Sequence, residues 1–83
     1  MRRLSDLPNI GRVIEEKLME VGIDSPEKLV EIGSKESFIR IKAIDSSACL
    51  HMLYGLEGAV QGIKDKFLSE EVKEDLKKFY KSF

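Results

Sequence analysis

Residues 46–63, Ser-Ser-Ala-Cys-Leu-His-Met-Leu-Tyr-Gly-Leu-Glu-Gly-Ala-Val-Gln-Gly-Ile, constrain this chain more than any other stretch. At the helical period, apolar and small residues run almost the whole way round, with His51, Glu57 and Gln61 as the strongly polar exceptions. A helix of that kind has to be covered on most of its sides. Its expected span is 47–63, with Ser46 or Ser47 as N-cap, because a hydroxyl there accepts a bond from one of the first free backbone N–H groups. Leu50, Leu53, Leu56, Val60 and Ile63 fall on one side, while Ala48, Gly55, Gly58, Ala59 and Gly62 form a small-residue seam. Each glycine costs roughly 1 kcal/mol of helix propensity relative to alanine, so the seam calls for a compensation. Close approach of another helix is the expected one.

Three readings compete for this helix. A bilayer span needs about 20 apolar residues, and this run is shorter and carries His51 and Glu57. That leaves a central core helix or a homodimer seam through the glycines. The core reading is adopted, with the seam as its qualification.

A chain of 83 residues has room for one domain, 1–83, with one modest core. Its net charge is -1, and the charge is evenly spread: residues 1–33 hold five Lys/Arg against seven Asp/Glu, and residues 34–83 nine against eight. Neither half reads as a basic nucleic-acid arm. The single cysteine, Cys49, cannot close an internal disulfide, which suits a reducing cytoplasm. Arg2-Arg3 is followed by Asp6 and Pro8 instead of an apolar h-region, so no signal peptide is expected. The expected location is cytoplasmic, with no membrane partner.

Taken in order, residues 1–6 form a short helical turn or two, which Leu7-Pro8-Asn9-Ile10-Gly11 interrupts. Pro8 disfavours a helical residue before it, and Asn9 and Gly11 tolerate positive φ. The spacing of Ile10, Ile14, Leu18 and Val21 then predicts an amphipathic helix that stops at Gly22. Ser25 as N-cap and Pro26 at N1 open a short helix reaching Gly33, with Leu29, Val30 and Ile32 buried. Ser34 is expected to cap a fourth helix carrying Phe38, Ile39 and Ile41. Residues 64–68 read as a connector. Ser69 starts a last helix whose stripe of Val72, Leu76, Phe79 and Phe83 makes it a lid on the core. The fold class is all-α: five or so helices around the central one.

Catalysis fails at the inventory stage. Cys49 and His51 are two apart on a helix and do not face one another, so they make no nucleophile and base pair. Cys49 reads as a small buried hydrophobe, and His51 as a partly exposed residue on a wet stripe with Tyr54 and Gln61. Metal-ligand spacing is absent, and neither metal nor cofactor is expected. Glu15-Glu16 and Glu70-Glu71 read as solvated helix faces rather than dyads. A pocket lined by Tyr54, Phe38 and Met52 is a minor small-molecule alternative.

The hairpin is more informative. Leu7-Pro8-Asn9-Ile10-Gly11, followed by a helix and Val21-Gly22-Ile23, resembles a helix-hairpin-helix element, whose usual hairpin reads roughly L-P-G-I-G. In DNA-binding members the hairpin N–H groups hold a phosphate, which the helix dipole favours. That resemblance implies Pro8, Asn9, Ile10, Gly11 and Arg12 as the contact, with Arg2, Arg3 and Lys17 assisting. Asn9 stands where the usual hairpin has glycine, which puts a side chain beside the phosphate position. Glu15 and Glu16 follow where small or basic residues are usual, so binding is expected to be weak and phosphate-directed at physiological salt.

The order of elements is similar to the C-terminal domain of the TfoX/Sxy family, regulators of bacterial competence for DNA uptake. The similarity runs from about Leu4 to Tyr80 and is carried by the hairpin, by Val21-Gly22-Ile23 with Glu27 and Leu29, and above all by Leu53-Tyr54-Gly55-Leu56-Glu57-Gly58-Ala59. It implies a compact helical module with the hairpin near its start. Family regulators also carry a separate N-terminal α/β domain, so this chain is either a stand-alone version or a fragment. The expectation is a non-catalytic binding module that contacts nucleic acid through the hairpin. The alternative is a protein-interaction or homodimerisation module that uses the glycine seam or the C-terminal aromatics Phe79, Tyr80 and Phe83.

Overall fold

Five α-helices and two 3-10 turns make up the structure, a computed structural model that describes residues 2–83 and has no strand among them. A 3-10 turn at Leu4–Asp6 leads into the hairpin. Helices α1 (Arg12–Glu20), α2 (Pro26–Ile32), α3 (Ser34–Ile44) and α4 (Leu50–Gln61) follow, then a second 3-10 turn at Asp65–Phe67 and α5 (Glu70–Lys81). The all-α class read from the sequence is the class that forms.

Two helix starts follow from their capping chemistry. Ser25 Oγ accepts the Lys28 N–H at 3.1 Å with Pro26 at N1, and Ser69 Oγ accepts the Val72 N–H at 3.1 Å. Helix α4 sits at the centre, touching α2, α3, α5 and the second 3-10 turn. Its Leu53 and Leu56 are fully buried with Leu18 of α1, Leu29 of α2, Phe38 and Ile41 of α3 and, at the α5 side, Leu76. Burying one such leucine is worth about 1.5–3 kcal/mol, so this convergence is the main source of cohesion. No helix of the described residues is long and apolar enough to cross a membrane.

Helix α4 is shorter than the expected 47–63, and neither Ser46 nor Ser47 caps it; Cys49 occupies the cap position without a side-chain bond. The serines are engaged in the preceding loop. Asp45 Oδ1 accepts both the Ser47 N–H at 3.0 Å and the Ser47 hydroxyl at 2.6 Å, and Lys42 Nζ donates to the Ser46 and Ala48 carbonyls, each at 2.8 Å. The chain is thereby held non-helical up to Cys49, which is exposed and not the buried hydrophobe expected. At the other end Gly62, at φ 78°, takes the left-handed turn that stops α4, and the Ile63 N–H reaches back to Gly58 O at 2.9 Å.

Other expectations are corrected by local packing. Gly33, not Ser34, is the cap of α3; Ser34 lies inside the helix, buried, where its hydroxyl donates to Glu57 Oε1 at 2.6 Å and ties α3 to α4. Val30 and Ile39 lie outside the buried stripe of their short helices and are exposed. Phe38 is wholly buried beneath Tyr80 and Phe83, so it lines no open pocket with Tyr54 and Met52.

Candidate nucleic-acid interface

Leu7 and Ile10, 6% and 5% exposed, anchor the two ends of the hairpin in the core. The Leu7 N–H bonds Leu4 O at 3.0 Å and the Ile10 N–H bonds Leu7 O at 3.4 Å, which folds the loop tightly between the first 3-10 turn and α1. Asn9 adopts φ 69°, the left-handed conformation that asparagine tolerates better than most non-glycine residues. Gly11 is exposed, sits in extended backbone at the start of α1 and offers no side-chain cap. The helix's first backbone bond runs from Glu15 N–H to Gly11 O at 3.0 Å. The N–H groups of Gly11, Arg12, Val13 and Ile14 therefore have no acceptor among the described residues. Of the hairpin residues the resemblance implied, Ile10 spends its N–H on Leu7, while the N–H groups of Gly11 and Arg12 have no acceptor among the described residues.

The Asn9 side chain turns inward. Its Nδ2 donates to Gly55 O at 3.3 Å and to Ile63 O at 3.0 Å, and its Oδ1 accepts the Asp65 N–H at 3.2 Å. An amide so engaged does not stand in front of the free N–H groups, which removes the crowding the sequence suggested. It also explains the glycines of α4. A Cβ on Gly58 would press against Asn9 Nδ2, lie 2.7 Å from Ile63 O and 3.3 Å from Asp65 N, and a Cβ on Gly55 would sit 3.4 Å from Asn9 Cβ. What approaches the seam is thus the hairpin loop and the backbone after α4, not another helix. Gly55 and Gly58 are buried within the chain and present no homodimer face.

Most cations near the hairpin are already committed. Arg3 Nη2 meets Glu15 Oε1 at 2.9 Å, and Glu15 Oε2 accepts the Ser5 N–H at 3.1 Å. Glu15 is buried by these contacts instead of forming a solvated face with Glu16. The Arg3 hydrogen bond, then the Ser5 N–H, hold its carboxyl below the usual carboxylate range. Arg12 Nε lies 3.4 Å from Glu16 Oε1. Lys17 points away from the hairpin to Asp45 Oδ2 at 2.8 Å, and that hydrogen bond, with those from Ser47, drives the Asp45 carboxyl far below its ordinary value. Arg2 is exposed, beside Leu7 and Pro26 in a shallow groove.

The Asn9–Asp65 bond brings up a second set of charges that sequence reasoning passed over as connector. Lys64 precedes the Asp65–Phe67 turn and shares a groove with Asn9, Ile14 and His51; Lys66 lies on the turn, its Nζ 5.3 Å from the Phe67 ring centroid. Neither lysine belongs to an ion pair among the described residues, and Phe67 is 67% exposed. His51 Nε2 is 3.8 Å from Asp65 Oδ2, too far for a hydrogen bond. The only sequence signal of Lys64, Lys66 and Phe67 is two lysines followed by an aromatic in an apparent linker, and nothing local says which surface such a linker joins.

At the opposite end, the C-terminal aromatics fold back on α3. Phe38 meets Tyr80 and Phe83 at ring-centroid distances of 5.9 and 5.7 Å, and Phe79 meets Phe83 edge-on at 5.4 Å. Phe79 and Tyr80 are half-buried by this docking, while Phe83 stays 58% exposed.

Comparison with known proteins gives a consistent result. A protein from Listeria monocytogenes described as uncharacterised, solved in a triclinic crystal form, superposes with a TM-score of 0.97 at 53% identity, covering 98% of this chain and 92% of that one. A Listeria monocytogenes protein of unknown function in a tetragonal form gives 0.93 at 54% identity, over 95% and 96% of the two chains. Among curated proteins, the DNA transformation protein TfoX of Haemophilus influenzae is 36% identical over 78 residues, which is 94% of this chain and 36% of that protein. Protein Sxy of Escherichia coli is 35% identical over 74 residues, 89% of this chain and 35% of its own length. The chain thus spans about a third of the curated relatives it matches. Residues 1–80 match the family described as the TfoX C-terminal domain, and the chain belongs to that family.

Proposed function

We propose that this protein is a non-catalytic, competence-related binding module that contacts nucleic-acid phosphate through its hairpin. The observation that carries the reading is the start of α1: the N–H groups of Gly11 to Ile14 have no acceptor among the described residues, and the hairpin before them is tied from behind by Asn9. A helix N-terminus of this kind favours an anion through its dipole and its free donors together. The name of the Haemophilus influenzae relative, a DNA transformation protein, agrees with that chemistry. The test is binding of labelled duplex and single-stranded DNA across a salt series. The hairpin reading expects a log-log slope of about -2 to -4, the signature of a few neutralised phosphates. Gly11→Leu removes that binding while leaving the helical signal intact. Absence of binding at low salt overturns the reading.

The second reading is a protein-interaction or self-association module. Phe83, exposed beside half-buried Phe79 and Tyr80, is the feature that favours it. Light scattering at high concentration separates the two: a monomer removes self-association, and a dimer dissociated by Phe83→Ser supports it.

A further inference from the structure

We propose that the Asp65–Phe67 turn, with Lys64 before it, is a base-stacking platform that gives the hairpin surface a preference for single-stranded nucleic acid. The inference rests on the hairpin reading and adds to it the strand class and three residues. Phe67 is the most exposed large hydrophobic side chain of the described residues, at 67%, and a solitary ring so exposed contributes nothing to the core. It is not on a loose linker. The turn closes through the Phe67 N–H to Lys64 O at 2.9 Å and the Leu68 N–H to Asp65 O at 3.1 Å, and Leu68 is buried immediately after it. Asn9 Oδ1 fastens its first residue to the hairpin itself. The backbone that carries the ring is therefore tied to the hairpin loop that precedes α1.

The charges around it fit the same ligand. Arg3, Arg12 and Lys17 are paired with Glu15, Glu16 and Asp45, whereas Lys64 and Lys66 have no carboxylate partner among the described residues. Lys66 Nζ lies over the Phe67 ring at 5.3 Å, which puts a phosphate-pairing charge within reach of a nucleotide stacked there. An exposed aromatic flanked by unpaired cations is how sequence-tolerant single-strand binders hold a strand, since every base offers a π-face to stack. In a duplex those faces are covered by neighbouring base pairs, so the ring gains nothing there. Asp65, the one carboxylate of the turn, is 27% exposed at its side chain and lies toward His51.

The experiment titrates the whole protein and its variants with a labelled oligothymidylate and with a duplex of equal length. Phe67→Ala is expected to lower oligothymidylate affinity roughly ten-fold and duplex affinity less than two-fold, with Phe67→Tyr restoring it. The double change Lys64→Gln and Lys66→Gln is expected to make the single-strand salt slope shallower by about 1.4. Gly11→Leu, run in parallel, reports on the hairpin alone. Loss of both ligands in Gly11→Leu with no effect of Phe67→Ala overturns the platform and keeps the hairpin. Loss in Phe67→Ala with none in Gly11→Leu overturns the hairpin and leaves the turn as the binding surface. Equal loss of duplex and oligothymidylate in Phe67→Ala, or a change in self-association only, overturns the strand preference.

Discussion

Asn9 and Asp65, 56 positions apart, are joined by a 3.2 Å hydrogen bond from the Asp65 backbone N–H to the Asn9 side-chain oxygen. With the two bonds its amide donates to Gly55 O and Ile63 O, this one side chain fixes the hairpin to the end of α4. Its backbone, at φ 69°, is also strained for most residues. The two roles can be separated. Asn9→Gly keeps the conformation and loses the bonds, and is expected to cost about 1–3 kcal/mol in urea unfolding by stranding part-buried backbone groups. Asn9→Ala loses both and should cost about 1 kcal/mol more. Equal stability of the two variants would mean that the left-handed backbone carries no strain.

Gly58 and Gly11 should respond to the same added methyl by very different amounts. In a helix interior alanine gains roughly 1 kcal/mol over glycine, but at Gly58 the Cβ meets backbone atoms, Ile63 O and Asp65 N, which cannot swing aside. Gly58→Ala is therefore expected to destabilise by about 1–3 kcal/mol net. At Gly11 a Cβ meets nothing within 4 Å, and Gly11→Ala should cost at most about 1 kcal/mol, the difference in capping preference. Thermal unfolding of the pair measures both.

Stability should fall on acidification through two carboxylates in particular. Glu15, lowered first by Arg3, and Asp45, lowered first by Lys17, have folded pKa values depressed below their unfolded ones. Their contributions are complete above the unfolded carboxylate range of about 4 and are lost as pH falls through the folded values beneath it. In Glu15→Gln and Asp45→Asn the melting temperature should vary less between neutral pH and pH about 2 than in the parent. An unchanged acid limb would assign the loss to other groups.

The Ser34 hydroxyl, 2.6 Å from Glu57 Oε1, is a core-side tie between α3 and α4. Ser34→Ala leaves that carboxylate oxygen without its donor, though Gln61 Nε2 still holds the other oxygen at 2.7 Å. The expected cost is about 1–2 kcal/mol, read from chemical denaturation. A neutral result would mean water replaces the hydroxyl fully.

The helical class, the central position of α4 and the starts at Ser25 and Ser69 were legible because each rests on local chemistry, periodicity or a cap within a few residues. The outcome at Ser34 and Ser47 shows where locality stops. Both are competent caps, but Ser34 is drawn to Glu57 across the core and Ser47 to Asp45 in a loop that Lys42 also holds. Glu15 reads as surface by its type and is buried because Arg3 and Ser5, ten or more residues back, close over it. The candidate site divides in the same way. Its hairpin is a contiguous motif, while Lys64, Lys66 and Phe67 join it only through a side chain at position 9, and no pattern within either segment announces that meeting.

The three bonds of Asn9 reach residues 46, 54 and 56 positions further along the chain. The hairpin thus precedes its anchor in the chain: it leaves the ribosome ahead of residue 65 and is fastened only after that residue has followed. Closing so long a loop comes late in folding, after its local helices have formed. The anchoring of the α1 start against α4 is accordingly a property of the completed fold, since the three bonds that make it need both ends of the chain segment in place.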